Sequence, residues 1–303
     1  MNTHKLVAMN FGHTLVKLNN FNEEDCSMKI GFIGGGNMAE GIIAGLVKNF
    51  LPSSIFVADP SEDRQAVLKE RYEINTFDHH RYFLSEVDFI VLAIKPQGFA
   101  DFLPEIAPLI QKHQVVISIA AGVTVDVITH LLQGDDFAIV RAMPNMPAKV
   151  GHGVTGLFAN ANVSDDQQNV VSEIFEGCGM ATWVKQEAQI NAVIAVAGSS
   201  PAYFFYFAQL VGQMGAKLGL NEEVATKMAI QTMLGSAKLA DIGDVSLDEL
   251  IRSICSPKGT TEQAMISFQE SDLASIVEKA MMATVNRSET LAEELAVKIR
   301  GQE

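Results

Sequence analysis

Residues 30–39 read Ile-Gly-Phe-Ile-Gly-Gly-Gly-Asn-Met-Ala, a short apolar run that passes into a glycine-rich turn. The spacing is the G-x-G-x-x-A form of the dinucleotide fingerprint, between a predicted strand and a predicted helix. Gly34 permits the tight turn, Gly36 lets the backbone approach a pyrophosphate, and Ala39 allows the helix to pack closely on the strand. The stretch predicts the first strand–helix crossing of a nucleotide-binding domain, with cofactor contacts at Gly34, Gly35, Gly36, Asn37 and Met38.

The first half of the chain alternates short apolar runs with helical patterns. Runs that are apolar at nearly every position indicate strands buried on both faces, as in a parallel sheet between helical layers. Two further strand candidates, 153–159 and 181–184, flank a helix that begins near Ser164. The pattern predicts a doubly wound, Rossmann-type α/β domain over residues 28–185. Its other strand candidates are 29–34, 55–59, 89–95, 115–121 and 137–143.

From residue 186 to residue 303 the pattern is helical, with stops at 219–221 and 243–244, and predicts an all-α domain. Residues 190–216 contain no charged side chain and are long enough to suggest a membrane helix. However, Gly198-Ser199-Ser200-Pro201 divides this run into two pieces that are each too short to span. An apolar helix too short to span is usually buried in an assembly, so we expect a subunit interface and no membrane.

Composition favours small-molecule chemistry. A chain of 303 residues with 48% hydrophobic content can form two domains, each with its own core. The 22 basic and 36 acidic residues give a net charge of −14, which disfavours nucleic acid and anionic membranes as partners. The three cysteines lack C-x-x-C spacing and no H-E-x-x-H motif occurs, so we expect no disulfide framework and no metal, as in a reducing cytosol.

Residues 1–27 precede the first clear strand and need a separate interpretation. Asn10, Gly12 and Lys17 interrupt the apolar core that a secretory signal requires. The acidic run 23–25 argues against an organelle transit peptide. Two alternatives stay open: a loose extension, or translation that begins at Met28.

Several residues fall at the predicted carboxyl edge of the sheet, where cofactors bind. Asp59 ends the second strand about 25 residues after the fingerprint, where an acid commonly holds the adenosine ribose hydroxyls and favours NADH. Ser61 and Arg64 follow it and could still receive the 2′-phosphate of NADPH, so both cofactors stay open. Small residues at 120–122 would let a nicotinamide ring come close. The cofactor candidates at this edge are Ala93, Ile94, Lys95, Pro96, Ala120, Ala121, Gly122 and Asn145, of which Lys95 is either a contact or a solvated lysine and Asn145 orients either cofactor or substrate.

A hydroxyl- and glycine-rich turn, Ser256-Pro257-Lys258-Gly259-Thr260-Thr261, leads into a helix late in the chain. The first N–H groups of a helix have no intrahelical partners and carry the positive end of the dipole, so they bind anions readily. Thr260 with Gln263 fits a capping box, and Gly259 lets a ligand approach the backbone. Two alternatives stay open for this turn. It is either a binding site for a carboxylate or phosphate, or only the start of a well-capped helix.

Five motifs stand in the order and spacing of pyrroline-5-carboxylate reductases, which the chain resembles from Met28 to about Glu294: the fingerprint, 93–96, 141–148, 198–203 and 256–261. The resemblance implies reduction of the cyclic imine 1-pyrroline-5-carboxylate to L-proline by NADH or NADPH, the last step of proline biosynthesis. It also implies a cytoplasmic enzyme whose helical domains form homodimers, often five to a ring.

The resemblance assigns roles within the hydroxyl turn. Thr261 would contact the substrate nitrogen, while Ser256, Gly259 and Thr260 belong to the site that holds the carboxylate. His80 occupies a place where Asn often meets the adenosine moiety and is therefore a cofactor candidate. The chain departs from the family pattern at five positions, and the change at Asp59 puts the cofactor choice in doubt. These positions are Asp59, His80, Met146, Ser200 and Lys258.

All seven histidines precede the helical domain, so a strong general acid is missing from the predicted substrate site. An iminium can take its proton from water, and we therefore expect Thr261 to orient the substrate without an obligate protein acid. Two alternatives remain. A β-hydroxyacid dehydrogenase would need a lysine in the first long helix after the boundary, which 192–216 lacks. A non-catalytic nucleotide-binding sensor would have no need of the hydroxyl turn.

Overall fold

The computed structural model of the chain describes residues 28–300, and the expectations for residues 1–27 lie outside them. The described residues form two compact units. The first contains residues 28–193 and 288–300, and the second contains residues 194–287. The division falls later than the expected boundary at residue 185, and the limits of the two functional domains stay a prediction.

The first unit is built on one eight-stranded sheet with the order β3-β2-β1-β4-β5-β6-β7-β8 among the described residues. Neighbouring strands run parallel except β6 and β7, which pair antiparallel. This arrangement confirms the doubly wound α/β fold. The strands are β1 Ile30–Ile33, β2 Ile55–Ala58, β3 Asn75–Phe77, β4 Phe89–Leu92, β5 Val115–Ser118, β6 Ala138–Met143, β7 Gly153–Ala159 and β8 Gly179–Trp183.

The central strands are buried on both faces because their side chains alternate between two apolar clusters. Phe89 and Val91 enter one cluster, whereas Ile90 and Leu92 enter the other. The runs are therefore apolar at nearly every position, which is the pattern that predicted these strands from the sequence. The helices of this unit are α1 Asn37–Leu46, α2 Glu62–Tyr72, α3 Phe99–Ile106, α4 Val125–Leu132, α5 Asp165–Glu176 and α6 Gln189–Val193.

The prediction from the sequence did not include strand β3, and it placed the ends of other strands too late in the chain. β3 has three residues, all only half-buried at the edge of the sheet, so it lacks a buried apolar run. β4 ends at Leu92 and β5 at Ser118, earlier than expected. The residues that follow these two strands are loop residues at the carboxyl edge, which is the position the cofactor candidates require.

The second unit is all α, as predicted. A π-helical turn, Ile194–Gly198, continues α6, and a bend at Ser199 separates it from the next helix. The stop at 219–221 is confirmed, since Asn221 caps α8 through its side chain. The helices are α7 Ser200–Lys217, α8 Glu222–Asp241, α9 Leu247–Ile254, α10 Thr260–Glu270 and α11 Leu273–Arg300, of which α11 continues into the first unit.

Helices α7 and α8 pack through small residues. A Cβ added at Gly212 would lie 3.1 Å from the Thr226 Cα, and one added at Gly215 would lie 3.0 Å from the Ala225 Cβ. Larger side chains at these positions would separate the helices, because the backbones could not approach so closely. The buried residues of the second unit are all small: Ala195, Ala197, Ser200, Ala208, Gly212, Ala225 and Ala229.

The large apolar side chains of the second unit lie on its surface. Four consecutive residues of α7, Phe204 to Phe207, are each at least 50% exposed. The helical stretch Gln189–Lys217 is long and apolar enough to cross a membrane, and 22% of its most apolar window is buried. Length and composition alone are weak grounds for a membrane span. Such an apolar surface marks a site of association.

Candidate active site

The glycines between β1 and α1 each meet a different geometric requirement. Gly34 has φ +97°, and a Cβ there would lie 2.8 Å from the Ala93 carbonyl oxygen, so only glycine fits the turn. Gly35 donates its N–H to the Asp59 Oδ2 at 2.7 Å. Gly36 precedes α1 and is exposed, and no atom of the described residues lies within 4 Å of a Cβ added there. The turn therefore leaves open backbone at the point where a pyrophosphate would approach.

Helix α1 presents its N-terminus at the same point. Gly36 is its N-cap, and no side chain in the described part of the chain caps it, so the first amides of the helix lack a side-chain partner there. Asn37 is exposed, Met38 is half-buried, and Ala39 is buried with 1% exposure. Free amides at the positive end of a helix suit a pyrophosphate group. The residues present therefore fit a dinucleotide, while the individual contacts stay predictions.

Glu40 gathers two arginines beside the turn. Arg64 donates through Nη2 to Glu40 at 2.8 Å, and Arg71 binds the other carboxylate oxygen. Burial raises the pKa of Glu40, but the hydrogen bond and charge of Arg64 and the charge of Arg71 outweigh it, so the pKa lies below its ordinary value. Sequence reasoning did not find this network, because nothing local links residue 40 with residues 64 and 71.

The loops after β4 and β5 hold the next cofactor candidates. Lys95 is exposed and precedes a 3-10 turn that Pro96 begins. Ala93 and Ile94 are half-buried, Ala120 is buried, and Ala121 is exposed. Gly122 has φ +78°, and a Cβ there would lie 3.1 Å from Leu295 and 3.2 Å from Leu291. The small size of Gly122 is thus required by packing against α11, in addition to any role near a nicotinamide.

Asn145, expected to orient a ligand, is buried in the connection between β6 and β7. Its Oδ1 accepts the Val154 N–H at 2.9 Å, which fixes the start of β7. Nearby, the buried Arg141 donates to the Glu187 carboxylate at 3.0 Å, and the same oxygen accepts the Val125 N–H. These contacts tie the ends of strands and helices together, so Asn145 has a structural function whether or not it touches a ligand.

His80 is buried, with 5% exposure, although the resemblance placed it near the adenosine moiety. Its ring packs edge-on against Phe102, and its Nε2 has no hydrogen-bond partner among the described residues. Burial lowers the pKa of His80, and the charges of His79 and Arg81 lower it further, against the opposing effect of Glu105. The donor atoms of His79, His80 and Glu105 lie within 4.8 Å of one another, a grouping that the sequence did not suggest.

The hydroxyl turn leads into α10 with a different cap from the one expected. Gly259 is the N-cap, and no side chain among residues 28–300 caps the helix, so the predicted capping box of Thr260 and Gln263 is wrong. Thr260 is instead the first helical residue. A Cβ at Gly259 would lie 2.8 Å from the Ser256 carbonyl oxygen, which explains the glycine.

The amides at this end of α10 are unequal. The Gly259 N–H donates to the Ser256 carbonyl at 2.8 Å, and the Lys258 N–H donates to the Glu262 carboxylate at 2.7 Å. The amides of Thr260 and Thr261, in the first turn of the helix, have no such partner among the described residues. These two amides and the adjacent hydroxyls can therefore bind a carboxylate, while the N–H of Gly259 is already used.

Two stretches of the chain match known protein families. Residues 29–122 match the family described as NADP oxidoreductase coenzyme F420-dependent, and residues 187–291 match pyrroline-5-carboxylate reductase dimerisation. A pyrroline-5-carboxylate reductase of Pseudomonas aeruginosa is 39% identical over 88% of this chain and 98% of its own length. The chain belongs to the pyrroline-5-carboxylate reductase family. The Escherichia coli reductase is 38% identical over 87% of this chain and 98% of its own length.

Solved reductases share the fold over the same residues. A pyrroline-5-carboxylate reductase of Coxiella burnetii has a TM-score of 0.84 and 38% identity, covering 88% of this chain and 99% of its own. A pyrroline carboxylate reductase of Plasmodium falciparum with NADP bound has a TM-score of 0.76 and 26% identity, with the same coverage. Membership of the reductase family decides against the β-hydroxyacid dehydrogenase alternative.

One departure from the usual reductase sequence has a visible backbone consequence. Lys258 adopts φ +59°, a left-handed conformation that favours glycine, at the place where the resemblance expects a second glycine. Its amide is held by Glu262, whose carboxylate compensates the strained turn. The turn of this reductase therefore carries a cation where the resemblance expects glycine, and the Glu262 carboxylate lies beside it at the start of α10.

Proposed function

We propose that the chain reduces the imine of 1-pyrroline-5-carboxylate to give L-proline, with a nicotinamide cofactor as hydride donor. The observation that carries the proposal is the N-terminus of α10, where free amides and two threonine hydroxyls meet within a chain of the reductase family. The helix amides neutralise the substrate carboxylate without a side-chain charge. The fingerprint turn and α1 hold the cofactor through its pyrophosphate.

Thr261 is the proposed catalytic residue, and its task is orientation. Its hydroxyl oxygen accepts from the protonated ring nitrogen, which fixes the C=N bond relative to the carboxylate held by the amides. When bound, the nicotinamide supplies the hydride that the imine carbon receives, and the nitrogen keeps its proton to become the amine of proline. Positioning of the two reactants contributes about 7–11 kcal/mol at best, so a protein acid is not required.

The helical unit is proposed to form a homodimer with a second copy, and the dimers are proposed to gather into a decamer. The match to the family's dimerisation region and the exposed aromatic run on α7 support the pairing. A second copy would cover the apolar surface of Gln189–Lys217, so we propose a protein partner and not lipid as its environment.

We further propose a cytoplasmic enzyme that binds no nucleic acid, consistent with its net charge of −14.

Steady-state kinetics of Thr261→Ala with pyrroline-5-carboxylate test the proposed role. We expect kcat/KM to fall by one to three orders of magnitude, a loss of about 1.4–4 kcal/mol, with the Kd for the cofactor unchanged. Ser253→Ala is the matched control, because within the described part of the chain that hydroxyl donates to the Leu250 carbonyl of its own helix and has no role in the proposed site. Wild-type kinetics in Thr261→Ala would contradict the role, and absence of turnover with both cofactors would favour the sensor alternative.

A further inference from the structure

Asp59 lies at the end of β2 with its carboxylate fixed by two backbone amides. Oδ2 accepts the Gly35 N–H at 2.7 Å, and Oδ1 accepts the Ser61 N–H at 2.9 Å. Each carboxylate oxygen can accept a second hydrogen bond, so the group keeps acceptor capacity for a ligand. Because Gly35 belongs to the fingerprint turn, the carboxylate is held beside the path of the dinucleotide. The side chain is half-buried, which leaves part of it accessible.

The positively charged candidate to receive a 2′-phosphate, Arg64, already makes other hydrogen bonds. Arg64 donates through Nε to the Gly35 carbonyl at 2.6 Å and through Nη2 to the Glu40 carboxylate at 2.8 Å. Its side chain is only 27% exposed. Both bonds would have to be given up, or shared, before the guanidinium could bind a phosphate in the usual bidentate manner.

The charge of the surrounding segment also opposes a phosphate. Residues 59–64 read Asp-Pro-Ser-Glu-Asp-Arg, with three acids and one base. Glu62 and Asp63 occupy the first turn of α2, and Ser61 caps that helix. These acids already use the favourable end of the helix dipole, which would otherwise attract a phosphate.

We infer that this chain selects NADH over NADPH, with Asp59 as the specificity-determining residue that accepts from the free hydroxyls of the adenosine ribose. The inference rests on the proposed function, since it names the cofactor of that same site. A 2′-phosphate would bring at least one negative charge against a fixed carboxylate, whereas a hydroxyl can donate to it. The Plasmodium falciparum structure has NADP bound, so the cofactor inferred for this chain differs from the cofactor in that structure.

Calorimetric titration of the full-length protein with NADH and with NADPH, without substrate, tests the inference. We expect the Kd for NADH to be at least about tenfold lower than the Kd for NADPH. A factor of ten in Kd is a modest difference for an interaction between two charged groups. Asp59→Asn should weaken NADH binding, tighten NADPH binding, and bring the ratio of the two Kd values to within about threefold. Glu70→Gln is the matched control, because it removes one charge from the exposed far end of α2 and should preserve the ratio.

The outcomes separate the inference from the proposed function. A tighter NADPH complex in Asp59→Asn supports the inference, and misfolding cannot produce such a gain. Equal or tighter binding of NADPH by the unaltered protein, or an unchanged ratio in Asp59→Asn, overturns the cofactor selection while leaving the reductase proposal intact. Failure of both dinucleotides to bind overturns both proposals.

Discussion

The nucleotide-binding unit and the helical unit use apolar residues in opposite ways. In the first unit, large side chains such as Phe32, Phe99 and Phe175 are almost completely buried. In the second unit, the buried residues are small, and Phe204 to Phe207 face outward with at least 50% exposure. The first unit completes its own core, whereas the second has apolar surface that a partner must cover. Changes inside the first unit and on the surface of the second should therefore have the largest effects.

The close packing of the first unit leaves no room for one added methyl group on α1. A Cβ at Gly45 of α1 would lie 2.6 Å from the backbone atoms of Gly177 and Cys178. Gly45→Ala should lower the free energy of unfolding by about 1–3 kcal/mol, because the added methyl group would overlap backbone atoms, which cannot move aside as a flexible side chain can. Denaturant titration measures the effect.

Gly98→Ala serves as the control for that prediction. The nearest atom to its added methyl lies 3.8 Å away, an ordinary contact. Its free energy of unfolding should stay within about 0.5 kcal/mol of the unaltered protein. Equal stability of Gly45→Ala and Gly98→Ala would show that the first unit is packed less tightly than its geometry indicates.

A charge on the surface of the second unit should weaken its proposed dimer. Phe205 is 63% exposed, so Phe205→Glu would be harmless in a monomer. If a second copy covers α7, each dimer must bury two unpaired carboxylates, and the dimer should weaken at least about 100-fold, or about 2.7 kcal/mol. Analytical ultracentrifugation measures the dimer affinity.

Leu109→Glu is the matched surface change in the first unit, where the side chain is 46% exposed. Its dimer affinity should match that of the unaltered chain, since the surface of the first unit is not proposed to be an interface. A Phe205→Glu protein that remains fully dimeric would contradict the proposed use of α7.

His80 should have a smaller effect on stability, which depends on pH because His80 is a titratable group inside the well-packed first unit. Its pKa lies below the ordinary 6.5, so as pH falls through 6.5 the unfolded chain binds the proton first and stability declines toward the folded pKa. The slope contributed by one group is at most about 1.4 kcal/mol per pH unit. His80→Asn should remove this contribution from the pH dependence of unfolding.

His152→Asn provides the comparison for His80, because that ring is exposed. We expect the free energy of unfolding of His152→Asn to stay within about 0.5 kcal/mol of that of the unaltered protein, so that loss of an exposed ring is not itself destabilising. Identical pH profiles for His80→Asn and the unaltered protein would show that the ring gains access to water in the folded state.

The same contrast explains how much could be predicted from the sequence. Strands such as β1 and β4 were predicted correctly because a strand that is buried on both faces is apolar at nearly every position. β3 was missed because an edge strand of three half-buried residues has no such pattern. The need for glycine at 122 comes from Leu291 and Leu295, which are far away in the chain, so no local signal announces it.

The candidate site was predicted where chemistry is local and missed where it depends on the fold. The fingerprint and the α10 turn were found as contiguous motifs, although the cap proved to be Gly259. The pairing of Glu40 with Arg64 and Arg71, and the grouping of His79, His80 and Glu105, require residues that only the fold brings together. Burial of His80 likewise could not be known before its packing on Phe102 was seen.

The most direct measurement is the stoichiometry of the reaction catalysed by the purified full-length chain. Pyrroline-5-carboxylate and NADH are supplied, proline is quantified by amino-acid analysis, and NADH is followed by absorbance. We expect one proline to be formed for each NADH consumed, and kcat/KM in Thr261→Ala to be lower by one to three orders of magnitude. Cofactor binding without formation of proline, with either NADH or NADPH, would contradict it.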